Sequence, residues 1–274
     1  MIVFPNAKIN LGLQVTGKLT KGYHTIQSVL YPIPLYDALE FIPIKKKTVF
    51  QSSGLDIPKD GKDNLVLQAY QLLKKDFQLP EISIFLHKNI PMGAGLGGGS
   101  SDAAFMLRAL NDYFELFLAD SFLESYAEQL GSDCPFFISN TPALATGTGT
   151  ELSEINVDLQ GFYLLLVNPG VHISTQEAYA KINPQPPQYD ISDLVVNHSP
   201  EFWKARLQND FEQSIFEKYP LLHQLKESFY EQGAVYSSMS GSGSTIFGLF
   251  KEKPPEAFEK QLRNSYVTFS GSLP

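Results

Sequence analysis

Five glycines fall within the eleven residues 91–101, PMGAGLGGGSS, and they force a tight turn of exposed backbone between two regular elements. Residues 82–87 alternate apolar and polar side chains and read as a strand entering this loop. The run AAFMLRAL that follows reads as a helix over about 101–117, with Ser100, Ser101 and Asp102 expected to cap it. Glycine lets the backbone approach a ligand closely, and unpaired amides at a helix start attract anions. A plain connecting turn is the alternative, but so many glycines are entropically costly for mere connection. The expectation is a phosphate cradle.

Gly93, Gly95 and Gly98 match the G-x-G-x-x-G spacing of a dinucleotide site. That site needs an acidic residue ending a second strand about 20 residues on. Here the corresponding stretch, LNDYFELFLADS, reads as helix, which makes Glu115 a poor ribose ligand. No Gly-Lys-Ser/Thr follows the loop, so the P-loop pattern fails, and the HRD and DFG signals of protein kinases are missing.

With 274 residues, 43% of them hydrophobic, the chain has material for two domains, expected at 1–155 and 156–274. A net charge of -8 argues against a nucleic-acid partner. No apolar run approaches the roughly 20 residues of a membrane span, and MIVFPNAKIN does not read as a signal peptide. Cys134 is the single cysteine, and five scattered histidines show no metal-ligand spacing. The expected setting is cytoplasmic, without a membrane partner.

Strands are expected over 7–14, 37–44 and 48–51, and a helix over 64–77 capped by Asp63 or Asn64. A helix over 121–129 opens on a capping box of Ser121 and Glu124. Residues 162–167 read as a buried strand, and Ser174 with Glu177 starts a helix reaching residue 182. Residues 183–192 read as a loop and 200–232 as helical. Strands over 234–239 and 245–250 flank SGSGS, followed by a helix over 255–263 and a strand near 266–269.

Three further segments carry chemistry. Lys8 interrupts the apolar alternation of PNAKINL, where a solvent-facing lysine is the plain alternative. Asp133 in GSDCPFF follows a helix end and precedes Pro-Phe-Phe, which points to a partly desolvated carboxylate rather than a simple cap. Residues 238–244, SMSGSGS, form a second glycine turn, or a plain hairpin.

Together these segments resemble the GHMP kinase superfamily, the group of galactose, homoserine, mevalonate and phosphomevalonate kinases. PMGAGLGGGSSDAA is similar to its ATP loop, PNAKINLGL to its N-terminal motif and SSMSGSGSTIFGLF to its C-terminal glycine motif. The resemblance implies an α+β, two-domain GHMP kinase fold. Its N-terminal domain would be a β/α sandwich like that of ribosomal protein S5, with a left-handed crossover. Its C-terminal domain would be ferredoxin-like, with ligands between the two.

The resemblance also implies an ATP-dependent small-molecule kinase with Asp133 as base and Lys8 beside it, stabilising charge on the transferring group. ATP would lie against Pro91, Met92, Gly93, Ala94, Gly95 and Leu96, and against Gly97, Gly98, Gly99, Ser100 and Ser101. Asn64 and Lys88 match positions near the adenine, Mg²⁺ would accompany the phosphates, and Ser101 is the expected metal contact. Asn10 and the triplet Gly22-Tyr23-His24 match members that act on cytidine diphosphate methylerythritol. Tyr23 would stack on cytosine, His24 would bond its edge, and Tyr179 would be a second stacking ring or an ordinary core aromatic. Asp102 competes for the base role and is preferred as a helix-start charge that orients the loop. The other readings are a homoserine- or mevalonate-type kinase, a nucleotide-binding protein without catalysis, or an NAD-dependent oxidoreductase. A monomer or homodimer is expected.

Overall fold

The computed structural model describes residues 1–19, 23–57, 64–187 and 189–273. The chain opens with strands β1 (Ile2–Val3), β2 (Asn6–Lys18), β3 (His24–Tyr36), β4 (Ala38–Pro43) and β5 (Val49–Gly54). Helix α1 (Leu65–Phe77) and strand β6 (Ile82–Lys88) lead to helices α2 (Gly98–Tyr113), α3 (Asp120–Glu128) and α4 (Phe136–Ser139). Strands β7 (Ala143–Thr146), β8 (Glu151–Glu154) and β9 (Tyr163–Asn168) come next. Helices α5 (Thr175–Tyr179), α6 (Ile191–Asn197), α7 (Phe211–Lys218) and α8 (Pro220–Glu231) precede the antiparallel pair β10 (Tyr236–Met239) and β11 (Ile246–Phe250). Helix α9 (Glu256–Ser265) and strand β12 (Val267–Ser272) complete the order.

Two compact units interleave along the chain. The first contains Met1–Lys8, Leu35–Met92 and Gly97–Thr141; the second contains Ile9–Pro34, Gly93–Leu96 and Pro142–Pro274. In the first, strands run in the order β1-β4-β6-β5, and the parallel β5–β6 pair is joined through α1. The pleat of β4 and β6 buries Leu39, Phe41, Ile84 and Leu86 on one face, and Phe41 meets the rings of Tyr113 and Phe114 at the end of α2. A separate sheet runs β2-β3-β7-β8.

In the second unit, β10-β11-β9-β12 form an antiparallel sheet, and β9–helices–β10–β11–α9–β12 is the ferredoxin-like succession. Its core joins Leu165 and Val167 of β9 to Phe211, Ile215, Leu222, Phe229 and Leu262 from the helices. Leu13 and Val15 of β2 belong to the same cluster.

Several local expectations need correction. Helix α2 begins at Gly98, and its N-cap is Gly97 in the left-handed region with no side-chain cap. Ser100, Ser101 and Asp102 therefore lie inside the helix and do not cap it. Helix α2 ends at Tyr113 rather than near 117, because Glu115 and Phe117 take φ of 52° and 56°. Helix α3 begins at Asp120 behind Ala119, so Ser121 sits in its first turn and its box with Glu124 does not form. Ser174 does cap α5, accepting from the Glu177 amide at 3.1 Å. Asn64 caps α1, accepting from the Val66 amide at 2.9 Å, while Asp63 lies outside the described residues.

Candidate active site

Strand β2 buries nearly every side chain along its first ten positions, Lys8 included. A lysine enclosed in this way needs a charged partner. It has one in Asp133, whose Oδ2 lies 3.5 Å from Lys8 Nζ. The turn that carries Asp133 joins α3 to α4 and is closed by the Cys134 amide donating to the Gly131 carbonyl at 3.1 Å. The lysine side chain is 4% exposed and the aspartate 38%, so the cation is fixed and the carboxylate opens to solvent. Burial pushes the neighbouring Cys134 thiol up to about 11, which keeps it protonated and unreactive.

Lys8 also runs beside the start of α2. A Cβ on Gly97 would lie 3.2 Å from Lys8 Cγ and 2.9 Å from the Phe137 ring, and φ there is +69°, so the position requires glycine. The Ser101 amide closes the first turn on the Gly97 carbonyl at 2.8 Å. No side chain caps this 16-residue helix and no acidic residue stands in its first turn. Its first amides and its dipole therefore favour an anion, as a phosphate loop requires.

Gly93 and Met92 are exposed, whereas Pro91, Ala94 and Leu96 are buried anchors of the loop. Gly95, at φ +77°, packs so tightly under the second glycine turn that a Cβ would collide with the Ser240 carbonyl oxygen. The Ser240 hydroxyl donates to the Gly95 carbonyl at 2.8 Å and accepts from the Asn10 amide at 3.3 Å. Asn10 Nδ2 in turn donates to Ser28 Oγ at 2.8 Å. Sequence reasoning missed Asn209, whose Nδ2 donates to the carbonyls of Met239 and Gly241, each at 2.8 Å, and so braces the second glycine turn. An asparagine ahead of a helix is too common a signal to have singled it out.

Lys88 is deeply buried, with Nζ bonded to Asp37 and, at 2.6 Å, to Asp102 Oδ2. Burial raises the Asp102 carboxyl to about 7, against the pull of Lys88 and assisted by repulsion from Asp37. Asp102 Oδ1 and Ser101 Oγ are buried atoms without a hydrogen-bond partner among the described residues. Ser101, the expected metal contact, is wholly enclosed, and Ser100 beside it is half-buried. Among the described residues no group of three or more His, Cys, Asp or Glu side chains gathers to hold a metal.

His24 opens β3 and stacks on Tyr179, with centroids 4.6 Å apart and planes 16° from parallel. Tyr179 also meets Phe211 edge-on, so it belongs both to the core and to an aromatic pair. Tyr23 is 65% exposed, and Gly22 lies outside the described residues.

A family model for the N-terminal domain of GHMP kinases matches residues 64–141, and one for their C-terminal domain matches residues 197–268. The chain belongs to the GHMP kinases and has their two-domain α+β fold; it is an ATP-dependent small-molecule kinase. Within that family it is similar to the 4-diphosphocytidyl-2-C-methyl-D-erythritol kinase of Cytophaga hutchinsonii, at 51% identity over 96% of this chain and 97% of the relative. The enzyme of the same name from Bacteroides fragilis is 49% identical over 95% of each chain. A crystal structure of a 4-(cytidine 5'-diphospho)-2C-methyl-D-erythritol kinase superposes with a TM-score of 0.81 at 29% identity, covering 99% of this chain and 98% of the other. The G-x-G-x-x-G spacing thus belongs to a kinase loop and not to a dinucleotide fold. No helix among the described residues is long and apolar enough to cross a membrane.

Proposed function

We propose that this kinase transfers the terminal phosphoryl group of ATP to the tertiary 2-hydroxyl of 4-diphosphocytidyl-2-C-methyl-D-erythritol, a step of non-mevalonate isoprenoid precursor synthesis. The names of its relatives support the acceptor. The observation that carries the chemistry is the Lys8–Asp133 pair beside the uncapped start of α2. When bound, ATP supplies the phosphoryl group, and its Mg²⁺ offsets phosphate charge. The loop amides from Gly93 to Gly99 and those at the start of α2 would hold the phosphates, which would carry the metal with little help from protein ligands.

Asp133 accepts the proton of the acceptor hydroxyl as its oxygen bonds to phosphorus and the bond to the leaving ADP oxygen breaks. Lys8 stays fixed beside it and stabilises negative charge on the transferring group. His24 and Tyr179 recognise the cytosine, with Tyr23 on its exposed side, and Asn10 orients the acceptor. Asn64 stands near the adenine as the cap of α1, and Lys88 acts from beneath the loop. The protein works in the cytoplasm as a monomer or homodimer, with its functional division near residue 155.

A coupled assay of ADP release tests the reading. Wild type should turn over with the cytidyl acceptor, and Lys8→Ala and Asp133→Asn should both be impaired. Turnover with homoserine or mevalonate and none with the cytidyl acceptor would reassign the substrate.

A further inference from the structure

The reaction proposed above gives no role to Asp37 or Asp102, yet with Lys88 they form a buried cluster at the approach to the phosphate loop. Asp37 follows β3 and is almost fully enclosed. Its Oδ1 accepts from two consecutive amides, Asn89 at 2.6 Å and Ile90 at 2.9 Å. These are the residues by which the chain leaves β6 and enters the loop. Its Oδ2 takes the Lys88 ammonium, which also holds Asp102 on α2. The ammonium lies directly beneath the helix start, since a Cβ on Gly98 would sit 3.0 Å from Lys88 Nζ and 2.7 Å from Ile90 Cγ2.

We infer that Asp37 is a positioning residue for nucleotide binding: its carboxylate fixes the entry of the phosphate loop and, through Lys88, the first turn of α2. The cost of burying an ammonium between two carboxyl groups is the physical argument. A buried ion cluster seldom stabilises a fold more than apolar side chains of the same volume would. It does fix geometry, and the amides of α2 can hold phosphate only if their directions are set beforehand. Asp37 touches no reacting atom in this scheme; it acts through Asn89, Ile90 and Lys88.

The inference rests on the reading of the loop as an ATP site, and the test separates the two. Hydrogen exchange is followed in the nucleotide-free protein, and MgADP binding is measured by calorimetry for wild type and the isosteric Asp37→Asn. Exchange at Asn89 and Ile90 should quicken about tenfold or more by local opening. The MgADP Kd should rise about 10- to 100-fold, as expected for the loss of a hydrogen-bonded charge. In turnover, the KM for ATP should rise far more than kcat falls. A variant that melts earlier but binds MgADP with unchanged Kd would overturn the inference, leaving Asp37 a stability element only. Wild type that fails to bind MgADP would instead overturn the reading of the loop. Should Asp37→Asn not fold, Asp37→Ser, which leaves Lys88 and Asp102 in place and admits water to the two amides, is read in the same way.

Discussion

Lys8 Nζ stands 3.5 Å from Asp133 Oδ2, and of the two side chains only the aspartate reaches solvent. The asymmetry divides the proposed labour. A fixed cation serves as a permanent electrostatic element, while a carboxylate open on one side can meet an incoming hydroxyl and later release its proton to water.

Asp133→Asn keeps the shape and removes the basicity. Its kcat should fall roughly 10²- to 10⁴-fold, with the MgADP Kd from calorimetry changed little. A variant running near wild-type speed would end the assignment of Asp133 as base.

Gly95→Ala should destabilise the protein by about 2 kcal/mol or more in urea unfolding, combining left-handed strain with collision against the Ser240 backbone. Gly161→Ala serves as the control. Its φ is +83° with nothing within 4 Å of the added Cβ, so about 1 kcal/mol of strain alone is expected. Equal losses at the two sites would refute the tight seat under Ser240.

The stack of His24 on Tyr179 bears on the acceptor. Tyr179→Ala should raise the KM for the cytidyl substrate about 10-fold or more while the KM for ATP stays near wild type. Tyr179→Phe should recover most of the loss, because the ring supplies the stacking face. A parallel rise in both KM values would return Tyr179 to the core alone.

Asp102 gives a pH signature. Its carboxyl is raised to about 7 by burial, so the folded state binds this proton more tightly than the unfolded chain does. The associated stability is fully present below the unfolded value near 4 and is lost as pH rises through about 7. Urea unfolding of wild type should therefore lose ground relative to Asp102→Asn between pH 5 and 8, by an amount on the order of 2 kcal/mol. A difference independent of pH would show that the carboxyl titrates normally.

Which parts of the molecule were legible beforehand follows from the range of the interactions involved. The glycine loop, Lys8 and Asp133 carry their signals locally, in unusual residues at unusual places, and the last two lie 3.5 Å apart. Strand β3, for which no expectation was given, carries Pro32 and Pro34, residues that argue against a central strand. Its ladder to β7 pairs Ser28, Val29 and Leu30, so the prolines fall beyond those bonds. The cap of α2 was misplaced because serines before an apolar run usually cap, whereas here a left-handed Gly97 ends the loop first. Asp37 and Asn209 had no local signal, since each gains its meaning from backbone groups distant in the chain.

The Ser240 hydroxyl joins Gly95 to a residue 145 positions later in the chain, and Asn10 to one 230 positions later. During synthesis the ribosome therefore releases a glycine loop that has no seat until almost the whole polypeptide has emerged. A nascent chain halted after β8 carries both Lys8 and Asp133 but lacks the floor on which Gly95 rests. If the loop is the proposed ATP site, a product terminated after β8 should bind MgADP far more weakly than the whole chain in calorimetry.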